Sequence, residues 1–485
     1  MAVAAGDDKK PGVAGISPAT VDVAAAFERL KEDVRGSNSG RPSHPPQVRL
    51  DPSPTPAPVR VNGAQRARAR LSHLRTRLVS RLHHVDAGWP RRRSATGRFD
   101  VAYYSPLPPE HSGVADYSAV LLPELRARMA VGVGRPRGRP PEAPVALYHV
   151  GNNPDSHDWI VEALFRRPGI VVLHEVVLHH LVVGMTIGRG DPEGYLRALE
   201  RDAGARGREL GARVVQGSIP PLWETEPERY PLVDDVLDAA TAVVVHSRYA
   251  EERVRAAGFA GPIHRIAHPV RRPAGVVPAP MAGGPVIGFF GHLTPAKRVP
   301  VLLDAFAALR RSYPDARLLV VGSKAPQFDL DAELSRAGLH GSRAVLREDW
   351  VPEERLSSLM AACDVCVNLR GPTMGETSGS ALRSLALGRP LVVSDVGWFA
   401  ELPDEVALKV PLDEFELPTL TAALGLLVGD DDLRRTLGQN GAAYALRVHD
   451  LERAADDYAA LLGAERHAIP DGVVGGSTRG LSAAP

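Results

Sequence analysis

The sequence lacks several features that would place it quickly in a functional class. Its 485 residues include only two cysteines, Cys363 and Cys366, too few for a disulfide framework. No run of 18 or more apolar residues occurs, so the sequence predicts no transmembrane helix. The formal net charge is +1, which argues against a nucleic acid as the main partner. No strand-like segment is followed by GxGxxG, so an NAD-binding oxidoreductase is not indicated.

The two cysteines have the CxxC spacing of redox and zinc motifs, but no second pair accompanies them. They lie in MAACDVCVNL, where a helix-like segment meets a strand-like one, so we expect two buried, reduced thiols. Reduced thiols favour a cytoplasmic protein. The N-terminus, MAVAAGDDKKPG, is not typical of a signal peptide, because acids come early and no apolar stretch follows.

Residues 1–95 differ from the rest of the chain in composition. Pro, Ser, Arg and Ala dominate, which predicts a largely disordered extension. Two amphipathic helices are candidates within it, Val21–Arg35 and Ala64–Val85. Between Arg60 and Arg93 there are ten arginines and a single acid. Such a basic helix either lies on an anionic membrane surface or packs on the folded body with its arginines in solvent.

From Phe99 onward, apolar strand-like segments alternate with helical ones, which is typical of parallel sheets covered on both faces. The first helix is expected at Tyr117–Arg128, followed by only a Gly/Pro/Arg-rich connection. The pattern stops at the turn-rich segment RRPAGVVPAPMAGG and then restarts. We therefore predict an α/β protein with two doubly wound domains that face a cleft, and ligands at the carboxyl ends of the strands. We expect the first domain at 98–270, a linker at 271–284 and the second domain at 285–430. Further helices are expected at 431–465 and a flexible tail at 466–485.

The most informative stretch is Arg370–Asp395, where a loop of glycines and small polar residues leads into a helix and then an apolar strand. Backbone N–H groups at such a helix N-terminus bind anions, and Ser378, Gly379 and Ser380 suit the turn. Glu376 would then be a carboxylate beside a bound anionic group, where it could hold sugar hydroxyls. The alternative is the first turn of an ordinary capped helix.

This stretch resembles the acid-bearing signature of the GT-B glycosyltransferases, in particular the retaining family 4 (group 1). In that family a Glu opens the Gly-rich loop and a second Glu follows in the helix. The resemblance extends over about residues 98–465 and implies a GT-B fold. The first domain would then bind the acceptor and the second the nucleotide-sugar donor. It also implies that the helices of 431–465 return to the first domain.

Three motifs of the first domain carry further parts of the resemblance. The loop SPLPPEHSGVADYS resembles the family's opening loop near the donor diphosphate; it contains Gly113, and a plain turn is the alternative. In YHVGNN, Asn152 either contacts sugar hydroxyls or caps the loop. His174 resembles the strand-end histidine that contacts the transferred sugar, the alternative being a core or loop histidine. A zinc site is not predicted, because His174 and His179 would lie roughly 140° apart around a helix.

In the second domain, GFFGHLTPAKR resembles the loop that places an Arg and a Lys on the diphosphate. Lys297 matches the Lys, either as a phosphate ligand or as a solvated side chain. His292 stands at the Arg position and is only partly charged near pH 7. The second Glu is absent: Arg383, or Ser384 beside it, stands at its position. A guanidinium cannot accept the ribose hydrogen bonds, so Arg383 puts ribose contact in doubt or meets phosphate instead.

The resemblance implies transfer of a sugar from a nucleotide-diphosphate sugar to an acceptor hydroxyl with retention of configuration. Glu376 and His174 would be the catalytic residues. The donor would be bound by a wider set of residues, namely Gly113, Asn152, His292, Lys297, Thr377, Ser378, Gly379, Ser380 and Arg383. No DxD occurs at a strand end, and Asp430–Asp432 reads as capping charge before a helix, so neither a metal nor a cofactor is expected.

Other functions stay open at this point. A GT-B epimerase or phosphorylase would share the fold, and a non-catalytic sugar-nucleotide-binding or scaffold protein would fit the missing second Glu and His292. Trp350, in EDWVP, either stacks on the nucleotide base or belongs to the core. The acceptor is a lipid, a polysaccharide, a protein or a small metabolite, which leaves a role in cell-envelope or polysaccharide biosynthesis open. Residues 64–93 leave peripheral contact with the inner face of the membrane open.

Overall fold

The computed structural model describes residues 22–38, 99–326 and 328–468. Within these ranges the chain forms two parallel six-stranded sheets, one after the other, and apolar side chains pack on both faces of each sheet. The prediction of an α/β protein with two doubly wound domains is thus confirmed. None of the helices described is both long and apolar enough to cross a bilayer.

The first sheet has the strand order β2-β1-β3-β4-β5-β6. Its strands are β1 Val101–Tyr104, β2 Val131–Val133, β3 Val145–Val150, β4 Gly169–Leu173, β5 Ala240–Val245 and β6 Ile263–Arg265. The edge strand β2 lies where only a connection was expected, so that expectation was wrong. Its three residues are too few for a periodic pattern to appear in the sequence, and only pairing with β1 defines it as a strand.

The helices of the first unit follow its strands, and a helical excursion of more than 60 residues separates β4 from β5. The first helix begins at Gly113 instead of Tyr117, because the Ser112 hydroxyl accepts a hydrogen bond from the Val114 amide and caps it. The α-helices of this unit are Gly113–Arg128, Pro154–Arg166, His179–Met185, Pro192–Val215, Leu222–Thr225, Asp234–Asp238 and Arg248–Ala256, with a 3-10 turn at Ile187–Arg189.

The second sheet has the strand order β12-β11-β10-β7-β8-β9. Its strands are β7 Val286–Phe290, β8 Arg317–Val321, β9 Val345–Glu348, β10 Val365–Asn368, β11 Leu391–Ser394 and β12 Leu408–Val410. The α-helices between and after them are Val299–Leu309, Leu330–Arg336, Glu353–Ala361, Gly379–Ala386 and Glu416–Gly429, with 3-10 turns at Pro295–Lys297 and Gly397–Glu401.

Each strand order contains one point where the chain reverses its direction of progress across the sheet. In the first sheet this point lies between β1 and β3, and in the second between β7 and β10. Loops that leave two neighbouring strands in opposite directions open a crevice between them, so ligands of such sheets bind there. The loops after β7 and β10 contain Lys297 and Glu376, which brings two residues that are distant in sequence to one crevice.

The last two helices belong to different units. Asp431–Val448 packs beside Gly379–Ala386 and stays with the second sheet. Leu451–Ala468 packs on the first sheet, where the Tyr458 hydroxyl lies 2.8 Å from that of Tyr117. The crossing between them is held by the Val270 amide, which donates to the His449 carbonyl at 2.9 Å.

A helix from the N-terminal extension packs on the second unit. It spans Val23–Asn38, close to the predicted Val21–Arg35, whereas the predicted helix Ala64–Val85 lies outside the described residues. Val23 and Phe27 are 3% and 5% exposed and join the core of the second unit, where their helix packs on Glu416–Gly429 and Asp431–Val448. The apolar face of this helix thus supplies part of the second unit's core.

We predict that Phe27→Ala releases this helix from the second unit. Removing a buried phenyl ring costs about 3–5 kcal/mol, which a single docked helix with few other buried residues cannot offset. Backbone amides of Val23–Asn38 should then exchange with deuterium at the rate of an unstructured peptide. Glu32→Ala, at an exposed position of the same helix, is the control and should leave exchange slow. Slow exchange in both variants would contradict the prediction.

Candidate active site

Loops from the two units cross at the mouth of the crevice. The amides of Val176 and Val177, just after β4, both donate to the Met374 carbonyl, at 2.9 and 3.2 Å. Gly375 has a positive φ of 79°, and a Cβ there would lie 2.3 Å from a methyl of Val176. Both the conformation and the close approach therefore require glycine at this crossing.

Further contacts join the two units on either side of this crossing. The Glu401 carboxylate accepts hydrogen bonds from the Arg248 and Tyr249 amides, at 3.1 and 2.6 Å, at the start of Arg248–Ala256. On another side, His111 stacks on Trp350 with ring centroids 3.9 Å apart. Trp350 is 51% exposed, so it is not a core residue but an aromatic surface facing the first unit.

The loop after β10 ends in the capped N-terminus of an eight-residue helix, Gly379–Ala386. The Ser378 hydroxyl caps the helix by accepting a hydrogen bond from the Ala381 amide at 3.4 Å. Asn368, at the end of β10, donates to the Ser380 hydroxyl at 2.8 Å and accepts from that of Ser378 at 3.4 Å. Thr377 is 8% exposed, and its hydroxyl oxygen has no partner among the described residues. Two hydroxyls held by hydrogen bonds, and one that has no partner, thus lie at the start of a helix, where backbone N–H groups lack partners within the helix.

Glu376 is held in this loop by an ion pair and two hydrogen bonds. The Arg370 Nε donates to its carboxylate, as do the Met374 amide at 2.9 Å and the Thr373 hydroxyl at 3.2 Å. The two side chains are 17% and 4% exposed, Glu376 being the more accessible. Burial alone would raise the pKa of Glu376, but the charges of Arg370 and Lys297 outweigh it and lower the pKa. Glu376 is therefore ionised at neutral pH.

Lys297 comes from the loop after β7, which the Gly371 amide fixes by donating to the Ala296 carbonyl at 2.9 Å. Burial and the Arg370 charge lower the pKa of Lys297 to about 7, against the opposing pull of Glu376 and Glu175. Glu175 reaches the same crevice from the end of β4. Burial and the Glu376 charge raise its pKa to about 7. A basic group, Lys297, and an acidic group, Glu175, thus both have a pKa of about 7 and lie on opposite walls of the site.

His174 lies directly after β4, as predicted, within a stack of buried rings. Its Nε2 lies 3.0 Å from Nδ1 of His149. Tyr117 meets it edge-on at 4.7 Å between centroids, and His246 lies at 5.1 Å. Burial and the neighbouring imidazoles lower the pKa of His174 well below its usual value, so this ring is neutral.

Asn152 and Gly113 lie near the crevice without pointing a free polar group into it. The Asn152 Oδ1 accepts from the Leu181 amide at 3.1 Å, and its Nδ2 lies 3.2 Å from Nδ1 of His180. The Oδ1 of this side chain thus caps the start of the helix His179–Met185, and its Nδ2 faces the His180 ring. Contact of Asn152 with sugar hydroxyls stays a prediction. Gly113 is the first residue of its helix, and no atom lies within 4 Å of where its Cβ would be.

His292 and Arg383 border the site on the side of β8 and β9. The His292 Nδ1 lies 3.0 Å from the Ser323 hydroxyl, and burial followed by the Lys297 charge lowers its pKa. A neutral His292 therefore adds no charge beside Lys297. The Arg383 guanidinium pairs with Glu353 at 3.1 Å and, across the cleft, with Asp116 at 3.3 Å.

Two residues of this site, Arg370 and Glu175, were not predicted from the sequence. Arg370 was quoted as the start of the informative stretch, but its partnership with Glu376 needs the loop to fold back on itself. No motif singled out Glu175, although it stands at a strand end next to His174. No group of three or more His, Cys, Asp or Glu side chains within the described ranges is arranged to hold a metal ion.

We predict that Arg370→Gln lowers the free energy of unfolding by about 3–5 kcal/mol, because it leaves the Glu376 carboxylate buried and unpaired. Arg370→Gln combined with Glu376→Gln should recover part of that loss in urea unfolding. Arg336→Gln serves as the control, since Arg336 forms exposed ion pairs with Asp304 and Glu333 that contribute about 0–1 kcal/mol. Equal losses for Arg370→Gln and Arg336→Gln would refute the prediction.

Known proteins resemble this chain in sequence and in fold. Residues 284–428 match the sequence model of the family described as glycosyl transferases group 1. A D-inositol 3-phosphate glycosyltransferase of Nocardia farcinica is 31% identical over 190 residues, which cover 37% of this chain and 41% of that protein. The chain spans less than half the length of the first curated relatives that it matches.

Two more distant likenesses extend over most of the chain. A GDP-mannose-dependent alpha-(1-6)-phosphatidylinositol monomannoside mannosyltransferase of Mycolicibacterium smegmatis is 25% identical over 70% of this chain and 92% of its own length. HepE of Anabaena, solved in complex with UDP and glucose, aligns with 76% of this chain and 100% of its own, with a TM-score of 0.52 and 16% identity. This chain accordingly has the GT-B fold, and its second unit is similar in sequence to the group 1 glycosyl transferases.

Proposed function

We propose that the protein transfers a sugar from a nucleotide-diphosphate sugar to an acceptor hydroxyl. The observation that carries this proposal is the arrangement around Glu376 in the second unit. An ionised carboxylate, a lysine and a capped helix N-terminus converge at the point where the strand order of the second sheet reverses. A carboxylate accepts hydrogen bonds from sugar hydroxyls, whereas an ammonium and helix N–H groups attract phosphate.

The charges of these groups indicate the role of each residue in the proposed reaction. When the bond between the sugar and the diphosphate breaks, negative charge grows on the departing phosphate oxygens. Lys297 and the helix start at Thr377–Ser380 are fixed before the reaction and stabilise that charge without reorganising. Glu376 cannot rotate away, because Arg370 and the Met374 amide hold it, so it orients the sugar through its hydroxyls. His174 contacts the same sugar from the first unit.

Retention of configuration and independence from metals are also proposals. Retention means that the acceptor hydroxyl attacks the sugar on the face from which the diphosphate leaves, so its proton is released beside the departing phosphate oxygen. A lysine and a helix N-terminus supply positive charge on that face, which is the charge that a metal ion provides in other transferases. Neither statement depends on the identity of the sugar.

The comparisons support a nucleotide-sugar donor and leave the acceptor open. HepE, with the same fold, was solved with UDP and with UDP-glucose. The names of two relatives contain D-inositol 3-phosphate and phosphatidylinositol monomannoside. Polyols and glycolipids are therefore the first acceptors to test. Cytoplasmic location, and membrane contact through residues 64–93, stay predictions from sequence.

A second candidate is a non-catalytic protein that binds a sugar nucleotide. Arg383 favours it, because this guanidinium stands where the resemblance places an acid and is occupied by Glu353 and Asp116. Such a protein would keep the donor intact, whereas a transferase without its acceptor slowly passes the sugar to water. Donor hydrolysis separates the two candidates.

We predict that one class among UDP-, GDP-, ADP- and TDP-sugars raises the thermal stability of the wild-type protein. A ligand of the folded state adds about 2.7 kcal/mol at a hundredfold excess over its Kd. Lys297→Ala should reduce this shift, because the diphosphate loses its cation. Lys324→Ala, at another lysine of the second unit, is the control. Absence of any shift would contradict the proposed donor site.

Glu376→Gln should keep most donor binding but lower donor turnover by at least about a hundredfold, because the neutral amide cannot hold the sugar as the charge develops. Hydrolysis of the stabilising donor is followed by release of its nucleoside diphosphate. Stabilisation without any hydrolysis in the wild type, even with polyol acceptors, would favour the non-catalytic candidate.

We predict that donor affinity falls as the pH rises through 7. A bound diphosphate favours the charged ammonium, so binding takes up a proton, and the affinity loses up to about tenfold per pH unit above the pKa of Lys297. Because Glu175 titrates in the same range, donor affinity is measured against pH in the Glu175→Gln variant. Adding Lys297→Arg, whose guanidinium stays charged, should abolish the fall of affinity with pH. An equal fall in the double variant would show that Lys297 is not the group responsible.

A further inference from the structure

His149 stands out among the buried polar groups that the proposed mechanism does not use, because it pairs with His174, which the mechanism does use. His149, near the end of β3, is 0% exposed, and its Nδ1 lies 3.0 Å from Nε2 of His174. Its other nitrogen, Nε2, is buried and has no partner among the described residues. One of the two rings must supply the shared proton, so the pair has only two neutral arrangements.

Other buried histidines of the chain show how such rings are arranged here. The Nδ1 of His246 faces the Ile266 carbonyl at 2.8 Å, and that of His449 faces the His268 carbonyl at 2.9 Å. A carbonyl only accepts, so each of these rings carries its hydrogen on Nδ1. In both, the buried Nε2 without a partner is therefore a bare lone pair.

The buried Nε2 of His149, which has no partner among the described residues, decides between the two arrangements of the pair. If His149 carried its hydrogen on Nε2, a buried N–H group would have no acceptor, which native proteins avoid more strictly than an unused lone pair. His149 therefore carries its hydrogen on Nδ1 and donates it to His174. The Nε2 of His174 is then the acceptor, and its own hydrogen must be on Nδ1.

We propose that His149 is a positioning residue that fixes His174 as a hydrogen-bond donor, with its N–H on Nδ1, toward an oxygen of the bound substrate. The Nδ1 of His174 makes no hydrogen bond to any described residue, so its proton is available to a ligand. This inference rests on the proposed function only for the nature of the ligand. The tautomer itself follows from the contacts between the rings.

A consequence for the reaction follows from the same assignment. The only lone pair on the His174 ring nitrogens is taken by His149, and the other nitrogen already carries hydrogen. Burial and the nearby rings of His246 and His149 further disfavour a second proton on the ring. His174 therefore cannot accept the proton of the acceptor hydroxyl. It holds a substrate oxygen, and the proton passes to another group, such as the departing phosphate.

The test reads the tautomer directly in the protein without substrate. Two-bond hydrogen–nitrogen correlation spectra of protein labelled with nitrogen-15 in histidine distinguish a protonated nitrogen from a bare one. The His174 signals are assigned by their loss in His174→Gln. We expect Nδ1–H to exceed Nε2–H by at least about fivefold, the least that an unpaired buried N–H group would impose. A predominant Nε2–H form would overturn the proposal.

Variants then separate hydrogen bonding from packing. His149→Phe keeps an aromatic ring but removes the donor, so we expect the excess of Nδ1–H in His174 to be lost. His149→Gln offers an amide donor and should restore it. His246→Phe is the matched control, because His246 touches the His174 ring without a hydrogen bond to it. Loss of the Nδ1–H excess in His246→Phe as well would show that packing sets the tautomer and would overturn the proposal.

Activity measurements follow the spectra. His149→Phe should lower donor turnover about tenfold, the effect of one misdirected hydrogen bond, and His149→Gln should recover most of it. An Nδ1–H tautomer in a protein that binds no sugar nucleotide would refute the proposed function while leaving the assignment of His149 standing. Full turnover in His149→Phe with the tautomer changed would refute the role of His149 in the reaction.

Discussion

The site depends on one buried ion pair, Arg370 with Glu376. A carboxylate in so dry a place would ordinarily bind a proton, and it would then lose most of its power to orient sugar hydroxyls. Arg370 prevents this protonation. Its guanidinium is almost fully enclosed and lies over the ring of Phe399, 5.3 Å from the ring centroid. Burial, and after it the charge of Arg370, lowers the pKa of Lys297. One arginine thus acts on the ionisation of both groups on which the proposed chemistry rests.

Much of this could be read from the sequence, because the signals are local. Alternating apolar and helical segments predicted two parallel sheets, and short motifs after strands predicted Lys297, Glu376 and His174. Arg370 and Glu175 act through partners that only the folded loops bring near, so no spacing rule pointed to them. Asn152 shows a different limit: it lies at a strand end, as the motif predicts, but its amide contacts Leu181 and His180 of a helix that the motif does not reveal.

The fold was predicted less well where contacts between segments distant in sequence decide the structure. The edge strand Val131–Val133 has no pattern of its own and exists because β1 lies beside it. The order of strands in each sheet, and hence the two crevices, cannot be derived from periodicity. The helix Val23–Asn38 was visible as an amphipathic segment, but its docking site on the second unit was not, since the apolar face that receives it is distant in sequence.

The helix Val23–Asn38 and the helix Leu451–Ala468 each pack on the unit that is farther from them in sequence. The N-terminal helix completes the second unit, and the C-terminal helix Leu451–Ala468 completes the first. Over the residues that the structure describes, the chain therefore passes between the units three times, and neither unit is a continuous piece of sequence. Cutting the chain in the linker would not release two complete domains, because each half would carry away a helix that belongs to the other. Independent expression of either unit would need that helix rejoined to it, as a circularly permuted chain could do.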